Sequence, residues 1–163
     1  MKLWARDYPL EEINRLNAGN LLGHLGIEFV AIDNDSLTAR MPVDARTTQP
    51  FGLLHGGASV ALAESVGSFA AFLTLRDPNK TTVGLEINAN HLRPVTAGCV
   101  YGVARPLHIG RNTQVWDIRI SDENGRLICV ARLTVAVVPR PKKSHEETKT
   151  SVPRVSSEEE ERT

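Results

Sequence analysis

The chain predicts an α+β fold in which an antiparallel sheet wraps around one long helix, and three observations carry that expectation. Apolar residues recur at helical spacing from Ala58 to Leu73, strand-like runs lie on both sides of that helix, and clusters such as Asp33-Asn34-Asp35 and Asp122-Glu123-Asn124-Gly125 mark turns between runs. Two strands, a helix and then a meander of four strands leave a single apolar helix to be covered. A sheet large enough to curl around it is the economical packing.

The elements follow in order. Leu10 to Leu16, behind Pro9, reads as a short amphipathic helix whose Glu11 and Glu12 suit the positive end of the helix dipole. Gly26 to Ile32 and Ser36 to Val43 are strands joined by the Asp33-Asn34-Asp35 turn. The long helix opens at Gly56 and Gly57, carries Ala58, Ala61, Leu62, Ser65, Phe69, Phe72 and Leu73, and ends near Arg76-Asp77-Pro78-Asn79. In Thr82 to Arg93, apolar Val83, Leu85, Ile87 and Ala89 alternate, which predicts a half-buried strand. Cys99 to Leu107 and Thr113 to Ile120 are further strands, and the second turn cluster makes a hairpin into Leu127 to Val138.

Composition bounds the function. With 163 residues and a formal net charge of zero, the chain suits one domain over residues 1–138 plus a tail, and nothing in the balance points to a nucleic-acid or membrane partner. The opening MKLWARDYPLEEINRL has no apolar core of a signal peptide, and no run approaches membrane-spanning length, so a cytoplasmic protein is expected. Cys99 and Cys129 stand alone in strand-like runs and read as reduced core thiols. Residues 139–163, rich in charge, Pro and Ser/Thr, bury too little apolar surface to offset ordering entropy and are expected to be disordered.

The chemistry concentrates in QPFGLLHGGASVALAESVGS, residues 49–68. Between Arg46 and Arg76 the one formally charged side chain is Glu64. Ser68 lies one turn further along the same face. His55 and Gln49 precede the helix, whose first backbone N–H groups and partial positive charge suit an oxygen that becomes negative during acyl transfer. Each part has a plainer reading: a buried Glu is sometimes only hydrogen-bonded in place, a Gly-Gly pair can serve close packing, and a lone His is more often a local hydrogen-bonder than a catalyst. The combination of a donor side chain, a His, glycines at a helix start and a carboxylate within a few turns favours catalysis. His55, His91 and His108 do not share ligand spacing, so no metal site and no cofactor is expected.

That segment, together with GLEINANHLRP at residues 84–94 and the order of elements, resembles the hotdog-fold acyl-CoA thioesterases. The similarity is to the aromatic acyl-CoA branch, which includes the 1,4-dihydroxy-2-naphthoyl-CoA thioesterases of menaquinone synthesis and the proofreading thioesterases of enterobactin-type siderophore synthesis. It spans Trp4 to about Val138. The resemblance implies that Glu64 is nucleophile or general base, that the Gly56 N–H polarises the thioester carbonyl, and that Gln49, His55 and Ser68 orient the reacting groups. It further implies a substrate and pantetheine channel lined by Gly84, His91, Leu92, Arg93 and Pro94. The loop His108, Ile109, Gly110, Arg111, Asn112 and Thr113 would hold the CoA nucleotide.

Two routes remain open for Glu64: attack that forms a mixed anhydride, or removal of a proton from water. Val60, Phe51, Leu53 and Val83 are expected around the acyl group. Arg93, Arg105 and Arg111 either meet CoA phosphates or are ordinary sheet-edge charges. The substrate reading is an aromatic acyl-CoA, with misacylated carrier protein and a non-catalytic acyl-CoA-binding oligomer as alternatives. Hydration is disfavoured because Asp44, the nearest upstream acid, stands eleven residues before His55. The resemblance also implies a homotetramer of two dimers, with each site at a subunit interface.

Overall fold

In the computed structural model, which describes residues 3–141, helix α3 (Gly56–Leu73) lies across one face of a six-stranded antiparallel sheet. Before it come α1 (Leu10–Arg15), α2 (Leu21–Leu25), β1 (Glu28–Ile32) and β2 (Leu37–Pro42); after it come β3 (Lys80–His91), β4 (Cys99–Ile109), β5 (Thr113–Asp122) and β6 (Leu127–Pro139). The spatial order is β1-β2-β4-β5-β6-β3. The expected tail falls almost wholly on residues 142–163, outside the described residues; β6 itself runs through Pro139, and the Arg140 N–H donates to Asn79 O at 2.7 Å.

The core is the seam between α3 and the inward face of the sheet. Leu62, Ala63, Val66, Ala70 and Ala71 of the helix are fully buried with Met41, Trp116, Ile118 and Leu133 of the strands. Gly67 lets the helix sit close, since a Cβ there would stand 2.7 Å from Leu133 Cδ2. At 18 residues and a mean hydropathy of 1.3, α3 is long and apolar enough to cross a membrane by length and composition, contrary to the expectation that no run approaches that length. Half of it is buried within the fold.

The helix stops at Leu73, earlier than the Pro78 signal suggested. There Thr74 Oγ donates to Ala71 O at 2.7 Å and accepts from Gln114 Nε2 at 2.9 Å, while Gln114 Oε1 accepts from buried Trp116 Nε1 at 3.0 Å. Helix α2 was not expected. Its five residues include Gly23, but Asn20 caps its start by accepting from Leu22 N, and Gly26 ends it in the left-handed region at φ 69°.

The outer edges differ. On β1, Asn14 of α1 mimics a missing strand: its Nδ2 donates to Phe29 O and its Oδ1 accepts from Phe29 N, both at 2.8 Å. On β3, eleven of the twelve residues pair with β6, and no other described strand pairs with it. A bulge at Leu85 changes which side chains face inward. Ile87 and Ala89 oppose buried Leu133 and Ala131, whereas before the bulge it is Gly84, opposite buried Val135, that lies on that face. Val83 and Leu85 therefore point outward and are exposed, so the alternation read from the sequence holds only for the second half of the strand.

Candidate active site

The loop from Asp44 to His55 delivers the start of α3. Thr47 pins it, donating from Oγ to Pro42 O at 2.7 Å and accepting from Asp44 N at 3.1 Å. The Thr48–Leu54 bridge closes it, and His55 N donates to Thr47 O at 2.8 Å. His55 then serves as N-cap: its Nδ1 accepts from Gly57 N at 2.8 Å, which fixes the ring at the helix head. The Gly56 N–H, first in the helix, donates to no described residue. It is an orphan donor at the positive end of the dipole.

The missing side chain of Gly56 also makes room for His91. A Cβ at this position would stand 2.8 Å from His91 Nε2. The His91 ring therefore lies over the helix start, and around it opens a cleft of about 340 Å³ lined by Gln49, Gly56, His91, Leu92, Arg93 and Pro94, with Leu53 as a further apolar wall. Gln49 Oε1 accepts from Phe51 N, which leaves its amide N–H groups as the side chain's remaining donors. Arg93 is anchored by donating to Leu127 O at 2.5 Å.

Glu64 occupies a different place. It is half-buried, Ser68 Oγ donates to its Oε1 at 3.1 Å, and it forms no ion pair with any described residue. Above it lies Gly84, whose missing side chain leaves the carboxylate its space: a Cβ there would be 2.7 Å from Glu64 Oε1. Glu64 lies eight positions beyond Gly56. In an α-helix that is about 12 Å of rise and roughly 80° of rotation, so the two cannot face one carbonyl within one chain.

The loop His108–Thr113 lies at the far end, beside the C-terminus of α3. Gly110 N donates to Thr113 O at 2.9 Å and Val137 N to Asn112 O at 2.8 Å. Ile109, Gly110 and Arg111 border a cleft of about 180 Å³ with Thr74, Arg76 and Lys80. The expected site residues thus fall into three groups in a single chain: the cleft at the start of α3, the Glu64–Ser68–Gly84 cluster in its middle, and the loop at its end.

Of the expected acyl-binding residues only Leu53 lines the first cleft; Phe51 is 88% exposed and Val83 is turned outward by the bulge. Arg105 pairs with exposed Asp35 at 3.6 Å and lines neither the Gly56 cleft nor the cleft beside Arg111. Leu54, Ser59 and Ile128 also line the cleft and were not anticipated. Ser59 alone had a signal, since it is one turn beyond Gly56 on the same helix face. Among the described residues no group of three His, Cys, Asp or Glu side chains is placed to hold a metal.

Comparison with known proteins adds to this geometry. Residues 51–129 match the Thioesterase superfamily. The 1,4-dihydroxy-2-naphthoyl-CoA hydrolase of Escherichia coli K12 is 55% identical over 136 residues, covering 83% of this chain and 99% of that protein. The proofreading thioesterase EntH of Cronobacter turicensis is 54% identical over 136 residues, covering 83% and 98%. The crystal structure of a thioesterase from Haemophilus influenzae superposes with a TM-score of 0.83 at 52% identity, covering 88% of this chain and 99% of that one.

Proposed function

We propose that this chain, which belongs to the thioesterase superfamily of hotdog proteins and is a thioester hydrolase, acts on an aromatic acyl-CoA, with 1,4-dihydroxy-2-naphthoyl-CoA as first choice. The observation that carries the mechanism is the separation along α3 of an orphan donor, the Gly56 N–H, from a hydroxyl-supported carboxylate, Glu64. A thioester needs both: a donor at the carbonyl oxygen, worth about 10²–10³ in rate, and an attacking oxygen or a base for water. The thiolate leaving group is stable enough at neutral pH to need no strong general acid.

Since one helix cannot aim both groups at one carbonyl, the site is completed by a second copy. The exposed edge of β3 supports this. Antiparallel pairing of two β3 strands about a two-fold axis centred near Ile87 would bring Gly84, with Glu64 beneath it, opposite the partner's His91, which lies over the partner's Gly56. The same operation carries the His108–Thr113 end of one protomer toward the Gly56 cleft of the other, where it is placed to take the CoA nucleotide. Two such dimers give the tetramer. Cys99 and Cys129, both free thiols, suit the reducing cytoplasm in which we place it.

Proofreading of a carrier-bound acyl thioester is the second reading, favoured by the near-equal identity to EntH. Thiol release from 1,4-dihydroxy-2-naphthoyl-CoA, or from benzoyl-CoA as its stable stand-in, tests the first reading. Wild type should turn over, and Glu64→Ala should lose orders of magnitude in kcat while retaining CoA-ester binding. Absence of wild-type turnover on both esters would reject the aromatic acyl-CoA assignment. The composite site has its own test. Co-expressed Glu64→Ala and Gln49→Ala chains should recover about a quarter of wild-type activity, because half the dimers are mixed and each mixed dimer has one intact site. No recovery would mean that each site is built within one chain.

A further inference from the structure

Away from these groups, the strongest unexplained feature is a concentration of positive charge. Where α3 ends, β3 begins and β6 leaves the sheet, a cleft of about 400 Å³ is lined by Arg6, Arg76, Lys80 and Arg140, with Asp77 the one carboxylate on its wall. The neighbouring cleft of about 180 Å³ shares Arg76, Asp77 and Lys80 and adds Arg111. Five cations therefore ring this end against one lining acid. Arg6 is held by Glu12 and lies over the Tyr8 ring, and Asp77 Oδ1 accepts from Asn79 N. Lys80, Arg111 and Arg140 form no ion pair with any described residue. Such a cluster raises the local concentration of anions.

The chain itself carries a matching anion. Arg140 forms part of the cleft wall, and the residues that follow in sequence, 142–163, include Glu158-Glu159-Glu160-Glu161. Seventeen residues lie between Arg140 and Glu158. A flexible linker of seventeen residues would reach about 23 Å, enough to bring its far end to a cleft beside Arg140, and tethering at that range corresponds to an effective concentration of about millimolar. We propose that the acidic run Glu158–Glu161 docks in this cleft on its own chain, over Lys80, Arg111 and Arg140. The docked segment then occupies cations beside Ile109, Gly110 and Arg111, so it competes with the CoA phosphates. This second consequence rests on the nucleotide role proposed for that loop; the docking does not.

The two are separable in one set of experiments on the full chain. Protein labelled with ¹⁴N and ¹⁵N is mixed in equal parts in denaturant, refolded, coupled with a zero-length carbodiimide and digested for mass spectrometry. Docking predicts Lys80 joined to Glu158–Glu161 within one isotope, several-fold less of it in about 0.5 M salt, and none in the variant E158Q/E159Q/E160Q/E161Q. Coupling confined to Lys142 and Lys143, or Lys80 products that are half mixed-isotope, would overturn it, the latter by placing the run on a neighbouring copy. In calorimetry with CoA at low salt, the four-fold variant should bind about two- to fivefold more tightly than wild type. Equal affinities would overturn the competition. If neither protein bound CoA, the nucleotide assignment would fall while the cross-links still decided the docking.

Discussion

Gly84→Ala should damage catalysis while leaving the fold nearly untouched. A Cβ at position 84 would stand 2.7 Å from Glu64 Oε1, where ordinary van der Waals contact begins at 3.4 Å. The carboxylate must therefore retreat by about 0.7 Å, and more once the methyl hydrogens are counted. It is the far end of a flexible side chain, so the retreat is cheap; what is lost is the 3.1 Å bond from Ser68 Oγ, worth about 0.5–1.5 kcal/mol. Replacing Gly by Ala in an extended strand returns about 0.4–1 kcal/mol through the unfolded chain. The two nearly cancel, and Tm should move by no more than a few degrees. The rate is far more sensitive. A reacting group displaced by about 1 Å costs roughly 10²-fold, about 2.7 kcal/mol in the barrier. The assay is kcat and KM on benzoyl-CoA beside a thermal melt: kcat is expected to fall 10- to 100-fold as an order of magnitude, with KM within a few-fold. A variant with wild-type kcat and an intact fold would refute the reasoning, because Glu64 would then react from a position that Gly84 does not shape.

The other predictions concern the scaffold. Asn14→Leu removes both bonds to the Phe29 backbone and should cost about 1–3 kcal/mol, seen as a lower urea midpoint with unchanged slope and faster exchange of the Phe29 amide. Gln114→Ala orphans Trp116 Nε1 in the core and removes a donor from Thr74; a similar loss is expected, with a shifted Trp emission. Asp44 is held at about 2 by the Arg46 guanidinium, which pairs with it at 2.6 Å, and by the Arg46 N–H. Its folded value is below the unfolded one, so its contribution is complete above about pH 4 and is lost as pH falls toward 2. An NMR titration should find that low midpoint, and Arg46→Ala should return it toward the ordinary carboxylate range.

The sequence revealed more of the elements than of their facing. Strand and helix order were legible because period and turn chemistry are local: Asp33 to Ser36 and Asp122 to Arg126 close their hairpins with their own side chains. Helix α2 was missed because Gly23 interrupts a five-residue run, although the Asn20 and Gly26 caps mark both ends. The bulge at Leu85 has no signature in a run of alternating apolar residues, and it puts Val83 on the face of the sheet away from α3. Within the candidate site, the spacing of Gly56, Glu64 and Ser68 was legible because one helix carries all three. The pairing of Gly56 with His91, 35 positions away, depends on which strand ends beside which helix end, and that is set by the sheet order.

The same helical spacing that made those residues readable also constrains how the site works. A rigid helix holds donor and carboxylate about 12 Å apart, and no rotamer of Glu64 closes that gap. Exposed Val83 and Leu85 lie on the strand whose edge has no described partner. In the proposed dimer, edge pairing satisfies that strand's backbone and, in the same step, sets the Glu64 layer of each chain against the Gly56 layer of the other. In that dimer assembly and chemistry are one event: a substitution that breaks β3 edge pairing but leaves Gly84 and His91 in place should remove activity in proportion to the dimer it removes.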